Sequence, residues 1–268
     1  MIDVKEQLDE AAAQYRRLGF HLTDRGHHTL GSANHLAIFR TNYLELLAMG
    51  LPGGPVRQEL ASFPKGLNGL VLSTEDTDGQ YRDLRDRGVA MRDPQSFSRP
   101  VELPGGIVDA RFRTAHVEAS EVPFGRLYFC QHFTPELVWR DEWQNHPNGA
   151  EEITHILIAA EDPVATAALF GRMFGVEPKR IEAAATLRFK ASEVEIDIQP
   201  HDIAARQLGA AFPERAGRSS FVAALRFRTV SFARTAAALA PLGFSQGSEG
   251  RLLVPAQAAG NIALEFRE

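Results

Sequence analysis

The segment Tyr15-Arg16-Arg17-Leu18-Gly19-Phe20 returns three times along the chain in altered form. Its counterparts are Asp83-Leu84-Arg85-Asp86-Arg87-Gly88-Val89, Gly171-Arg172-Met173-Phe174-Gly175-Val176 and Ala240-Pro241-Leu242-Gly243-Phe244. Each reads as a helix end, a glycine and an apolar residue. A glycine just past a helix adopts the left-handed conformation that closes the last turn, and the apolar residue after it opens a strand. Gly19 and Gly88 stand 69 residues apart and Gly175 and Gly243 stand 68 apart, whereas Gly88 and Gly175 are 87 apart. Two similar halves of two modules each give that spacing.

The residues around each repeat complete a module. Apolar runs of β character precede the last three helices: Leu67 to Leu72, Ile153 to Ile158 and Phe221 to Phe227. Acidic or hydroxyl residues stand where those helices start: Glu75-Asp76-Thr77-Asp78, Glu161-Asp162-Pro163 and Thr229-Val230-Ser231. The first helix is apolar along Leu8, Ala11, Ala12 and Tyr15. Alternating segments close each module: Tyr43-Leu44-Glu45-Leu46-Leu47, Arg126-Leu127-Tyr128-Phe129, Val194-Glu195-Ile196-Asp197-Ile198 and Ile262-Ala263-Leu264-Glu265-Phe266. The order strand, helix, strand, strand, strand therefore occurs four times, which predicts an α+β fold of four βαβββ modules. An insertion in the second copy, about residues 92–108, is rich in Pro and Gly and reads as loop. The opening strand of the first copy is short, Met1-Ile2-Asp3-Val4, and the expectation is that the chain starts inside it.

Composition narrows the function classes. Apolar residues make up 44% and charged residues 24%, ordinary globular usage. The net charge of −5 is spread without a basic stripe, so neither nucleic acid nor an anionic membrane is indicated as a partner. No apolar run is long enough to span a bilayer, and the first residues lack the basic and apolar regions of a signal peptide. The lone cysteine, Cys130, excludes an intrachain disulfide and fits a cytoplasmic setting; in Leu127-Tyr128-Phe129-Cys130 it reads as a buried, inert thiol. Pro104-Gly105-Gly106 lacks the residues of a phosphate-binding loop, and no Gly-x-Ser-x-Gly elbow exists.

Over residues 1–50 the chain resembles the glyoxalase-like branch of the vicinal oxygen chelate superfamily. The carrying residues are Leu18-Gly19-Phe20, Arg25-Gly26-His27-His28-Thr29-Leu30-Gly31-Ser32-Ala33-Asn34-His35-Leu36 and Asn42-Tyr43-Leu44-Glu45-Leu46-Leu47. The resemblance implies two glyoxalase/bleomycin-resistance/extradiol-dioxygenase-like domains, residues 1–140 and 150–268. It implies a divalent metal held by the first and last strands of paired modules and chelated by adjacent substrate oxygens. It also leaves a homodimer open.

Carrying the family's ligand positions over, by motif for Glu45 and by spacing from the helix-ending glycines for most others, gives two candidate sets. Glu45 falls in the first half together with His132, preferred over its neighbour Gln131 because the insertion blurs the count there, with Asn68 as a substrate contact and the first-strand position just off the N-terminus. His155, Asp197 and Glu265 fall in the second half, where Ala223 takes a ligand position it cannot fill. Such a set suits Fe(II), Mn, Zn or Ni. Glu45 and His132 would be the catalytic pair. His28 matches the family's recurrent histidine. The connector from Gln131 to Gly149 holds both tryptophans, Trp139 and Trp143, with His132, His146 and Asn148, and reads either as a packed linker or as a pocket wall. His21, His116 and His201 follow no pattern and read as surface residues. Two functions stay open: a divalent-metal-dependent enzyme of lyase or dioxygenase type on a small oxygenated molecule, or a metal-free protein that binds or sequesters a small molecule on the same scaffold.

Overall fold

In a computed structural model of the chain, covering all 268 residues, the described residues are 1–5, 7–49, 63–181, 185–242, 244 and 250–268. The first module comprises β1 (Ile2–Lys5), α1 (Leu8–Arg17), β2 (Gly26–His27), β3 (Ser32–Ile38) and β4 (Tyr43–Met49). After the short β5 (Gly66–Leu67), the second follows as β6 (Gly69–Ser73), α2 (Thr77–Asp86), β7 (Gln95–Leu103), β8 (Gly106–His116) and β9 (Arg126–His132). The third has β10 (Ala150–Ala160), α3 (Pro163–Phe174), β11 (Lys179–Ile181), β12 (Thr186–Ala191) and β13 (Val194–Pro200). A helix that the sequence pattern does not announce, α4 (His201–Leu208), leads to the fourth: β14 (Ser220–Thr229), α5 (Phe232–Leu239), β15 (Leu252–Val254) and β16 (Ala263–Arg267).

Local chemistry sets the helix ends as expected. Asp76 accepts the Gly79 N–H at 2.9 Å, Asp162 accepts the Ala165 N–H at 2.9 Å and Ser231 accepts the Arg234 N–H at 3.3 Å. Gly19, Gly88 and Gly175 take φ of +80°, +75° and +68°. Gly243 lies outside the described residues. Leu8, Ala11, Ala12 and Tyr15 are the buried residues of α1.

The two halves differ in how the modules join. In the second half β10 pairs with β13 on one side and β14 on the other, giving one seven-stranded sheet in the order β11-β12-β13-β10-β14-β16-β15. In the first half the join is broken at Asn68. The strands before it form the sheet β2-β3-β4-β1-β5, and those after it form β6-β9-β8-β7.

Asn68 is fully buried at this break and its side-chain amide donates to Asp3 and to the Pro64 carbonyl, at 3.1 and 2.7 Å. Arg126 closes the junction through a 2.6 Å bond to Asp3. Asn68 is therefore a structural pin and not a substrate contact: its donors are spent inside the fold.

The second-module insertion, expected to be loop, is a β-hairpin, β7 paired to β8 from Gln95↔Thr114 to Leu103↔Gly106. Pro100 is tolerated because β7 is the edge strand of its sheet, where a missing N–H leaves no neighbour unpaired. Pro104 and Gly105 make the turn.

Modules one and four share a core. Phe20 lies 5.4 Å from Phe227 and 6.1 Å from Phe266, and Phe39 lies 5.4 Å from Phe227. The Tyr15 hydroxyl, fully buried, donates to the Ala259 carbonyl at 2.9 Å. His146 and Asn148, read from sequence as pocket contacts, belong to this seam. His146 accepts the His21 N–H at Nδ1 and donates from Nε2 to the Ile38 carbonyl, at 3.0 and 2.8 Å. Asn148 donates to the Leu18 carbonyl and accepts from the Ala150 N–H. Both are buried, and each of their side-chain polar atoms is already bonded within the seam.

Candidate ligand chamber

Strand alternation sends Tyr43, Glu45 and Leu47 to one face of β4. The same rule sends Asn34 and Leu36 inward from β3, Phe97 and Arg99 from β7, Phe112, Thr114 and His116 from β8, and Tyr128 and Cys130 from β9. These side chains, with Met1, His28, Leu30 and Val138, line a cavity of about 50 Å³. A larger cavity of about 240 Å³ adjoins it, sharing Met1, Tyr43, Glu45 and Cys130 and extending to His132 and Trp139. Its far wall comes from the second half, at Ile153, Ile156, Ile196 and Leu225.

Glu45 is buried and its carboxylate is held by neighbours. Asn34 Nδ2 donates to Glu45 Oε1 at 2.6 Å and lies 3.3 Å from His28 Nε2. His28 Nε2 is 3.9 Å from the same carboxylate oxygen, and its Nδ1 is 2.8 Å from the Ser32 hydroxyl. Among the described residues Asn34 Oδ1 has no hydrogen-bond partner, nor have Arg99 Nη2, His132 Nε2 and Trp139 Nε1. Burial lowers the Arg99 guanidinium from its ordinary value, while Glu45 pulls it back. Burial also lowers His132 to about 4 and raises the Cys130 thiol to about 12, so the imidazole is neutral and the thiol protonated at pH 7. Cys130 is the buried, unreactive thiol its context predicts.

The structure thus brings Glu45, His28, His132 and Trp139 to one pair of chambers. Among the described residues it groups no third His, Cys, Asp or Glu with Glu45 and His132 to complete a metal site. Glu45 lies level with the start of β1, since its neighbour Leu46 pairs with Ile2. His132 lies beyond the end of the β6–β9 ladder, whose last pair is Ser73↔Cys130. The ring of His132 packs on Tyr43, Phe112 and Trp139, at 6.2, 5.2 and 5.0 Å. His116, read as a surface residue, lines the smaller cavity and stacks on Tyr128 at 4.3 Å.

The second-half set meets arginines instead of a common point. Arg188 grips Asp197 through Nε and Nη2 at 2.6 and 2.8 Å, and reaches Glu195 at 2.7 Å. His155 Nε2 pairs with Glu195 at 2.5 Å. Glu265 is flanked by Arg226 at 3.3 Å and Arg267 at 2.5 Å. The ladder register explains this: Glu195, His155, Arg226 and Glu265 lie in one row across neighbouring strands. Beside the row α4 seals the bowl, packing Ala204 and Leu208 against Leu157, Ala159, Ala223, Ala224 and Ala263. Ala223 is small because a helix covers it.

Among the described residues no three His, Cys, Asp or Glu side chains form a group able to hold a metal ion. The family's divalent ion therefore does not fit either predicted set: His155, Asp197 and Glu265 are spent in ion pairs, and Glu45 and His132 lack a third ligand among the described residues.

Residues 1–174 match the glyoxalase-like domain family. The chain belongs to that family. Solved structures give the glyoxalase-like chain the same fold at low sequence identity. A hypothetical protein from Staphylococcus aureus superposes with a TM-score of 0.69 and 10% identity, over 99% of this chain and 96% of its own. A mutant 4-hydroxymandelate synthase from Streptomyces coelicolor gives 0.59 and 12%, over 96% and 88%. A xylose isomerase-like TIM barrel/4-hydroxyphenylpyruvate dioxygenase fusion protein gives 0.56 and 12%, over 100% of this chain and 48% of its own. A search of curated proteins finds no match. The fold is thus the α+β, vicinal oxygen chelate type that the repeats predicted. Asn34, Arg99, Arg188 and Arg226 are the site residues that sequence reasoning missed. Asn34 alone carried a signal, since it shares the inward parity of Leu36 within a quoted motif.

Proposed function

We propose that this glyoxalase-like chain is a small-molecule binding protein that works without a metal, with its ligand chamber in the first half. The observation that carries the reading is the set of four buried polar atoms without partners in the chamber walls: Asn34 Oδ1, Arg99 Nη2, His132 Nε2 and Trp139 Nε1. A buried polar group left unpaired costs roughly 1–3 kcal/mol, so a ligand that satisfies several of them is favoured. Aromatic and aliphatic walls at Tyr43, Phe97, Phe112 and Trp139 supply the apolar contact that such pockets use. A lyase or dioxygenase mechanism of the metal-bound kind needs a donor set that the described residues do not form.

The test has two arms. Equilibrium dialysis against Fe(II), Mn, Zn and Ni should leave less than stoichiometric metal on the full chain. One tight metal per chain, lost in Glu45→Ala, would overturn the reading. In parallel, Trp139 fluorescence should respond to small oxygenated aromatic molecules in the presence of chelator, and Trp139→Phe should abolish that response while leaving the fold intact.

A further inference from the structure

We infer that the ligand of the first-half chamber carries a single carboxylate, and that Arg99 holds it. This deepens the binding reading above and rests on it. Arg99 comes from the middle of β7 and is only 4% exposed. Its side chain passes over Gly26 so closely that a Cβ there would come within 2.6 Å of Nη1 and 2.7 Å of Cδ. The absence of a side chain at position 26 is thus what admits the guanidinium. Having been admitted, it is left with Nη2 unpartnered in a cavity wall.

A buried cation with no carboxylate hydrogen-bonded to it is costly, and a guanidinium fork matches a carboxylate in both charge and shape. Two strand arginines of the second half show what is missing. Arg188 and Arg226 each find protein carboxylates, Asp197 with Glu195 and Glu265. In the first half the nearby carboxylate is Glu45, whose Oε1 already receives Asn34 and lies 3.9 Å from His28. The carboxylate missing from this arrangement is the one a ligand would bring.

Charge and size limit the ligand further. Glu45 remains beside the site, so a dianion such as phosphate would be repelled more than a monoanion. Phe97 and Phe112, stacked at 5.1 Å, with Leu36 and Val138, make apolar walls for the body of the molecule. A flat monocarboxylic acid satisfies all three conditions.

Isothermal titration of the full chain with benzoate and with benzamide, its neutral analogue of nearly the same shape, tests the inference. The wild-type protein should bind benzoate at least tenfold more tightly than benzamide. Arg99→Met should erase that preference, and Arg99→Lys should keep part of it because the charge remains while the fork is lost. Thermal melts of both variants check folding, and Arg99→Met should melt no lower than wild type, since it removes an unpaired buried charge. If benzamide binds as well as benzoate, the carboxylate inference is overturned and the binding reading survives. If neither probe binds the wild-type chain, the inference is overturned, and the binding reading then stands or falls on the Trp139 fluorescence response. If Arg99→Met binds benzoate as tightly as wild type, another residue holds the carboxylate and the inference is overturned.

Discussion

The first and second halves repeat the same module plan, yet their inward faces have opposite contents. In the second half every charged side chain of the central row meets an opposite charge across a strand, and α4 covers what remains. In the first half the two sheets part at Asn68, a long hairpin brings in Arg99, and chambers persist with polar atoms unpaired. Fold alone therefore does not say where a site is. The distinction lies in whether the charged residues that face inward pair with one another.

The largest expected effect breaks the first half at its seam. Asp3 and Arg126 are both buried, and Asp3 also receives Asn68. Asp3→Ala should destabilise the chain by roughly 3–5 kcal/mol, because it strands a buried guanidinium; chemical denaturation reads the loss, and a change below 1 kcal/mol would refute the pin. The continuous sheet of the second half has no counterpart to this residue.

Acid should come next, acting on the first half and on its seam with the second. Burial holds His132 and His146 at about 4, against about 6.5 in an unfolded chain. Their contribution is complete above pH 6.5 and is lost as pH falls from there to about 4, up to roughly 3 kcal/mol for each by linkage. His146 has both ring nitrogens engaged, so His146→Gln should flatten part of that slope in melts taken between pH 7 and pH 4.

A pair of arginine substitutions sharpens the contrast. Arg188→Met should cost roughly 1–3 kcal/mol, since Asp197 and Glu195 are left facing each other's charge. Arg99→Met should cost nothing measurable by the same denaturation assay. Equal losses in the two variants would mean that Arg99 has a partner in the protein and that the halves do not differ as described. The smallest effect belongs to a feature the modules share: Asp162→Ala removes a helix cap and should cost about 1 kcal/mol, as should Asp76→Ala in the other half.

Features that act over a few residues were legible in the sequence. A left-handed glycine, a cap and an alternating strand each report themselves within one turn or one ladder, so the four modules and their order could be read directly. The β7–β8 hairpin was hidden because Pro100 and Pro104-Gly105-Gly106 carry loop chemistry, and only the sheet shows that β7 lies on an edge. Glu45, His28, His132 and Trp139 stood out by motif or by clustering, and they do share the chamber region. His146 and Asn148 also stood out, but their partners, Ile38 and Leu18, lie more than 100 positions away, and no local pattern reveals that they are spent. The arginines were invisible for the same reason: spacing locates a carboxylate on a strand but not the cation on the neighbouring strand that neutralises it.

The helix α4 has a further consequence. It begins at the residue after β13 ends and returns the chain to β14, so the element that fills the second bowl is covalently tied to both of its walls. A tethered occupant acts at an effective concentration in the millimolar range or above, whatever the solution holds. A diffusing molecule would have to displace it against that constant competition. The second bowl is in this sense filled by a segment of the chain itself.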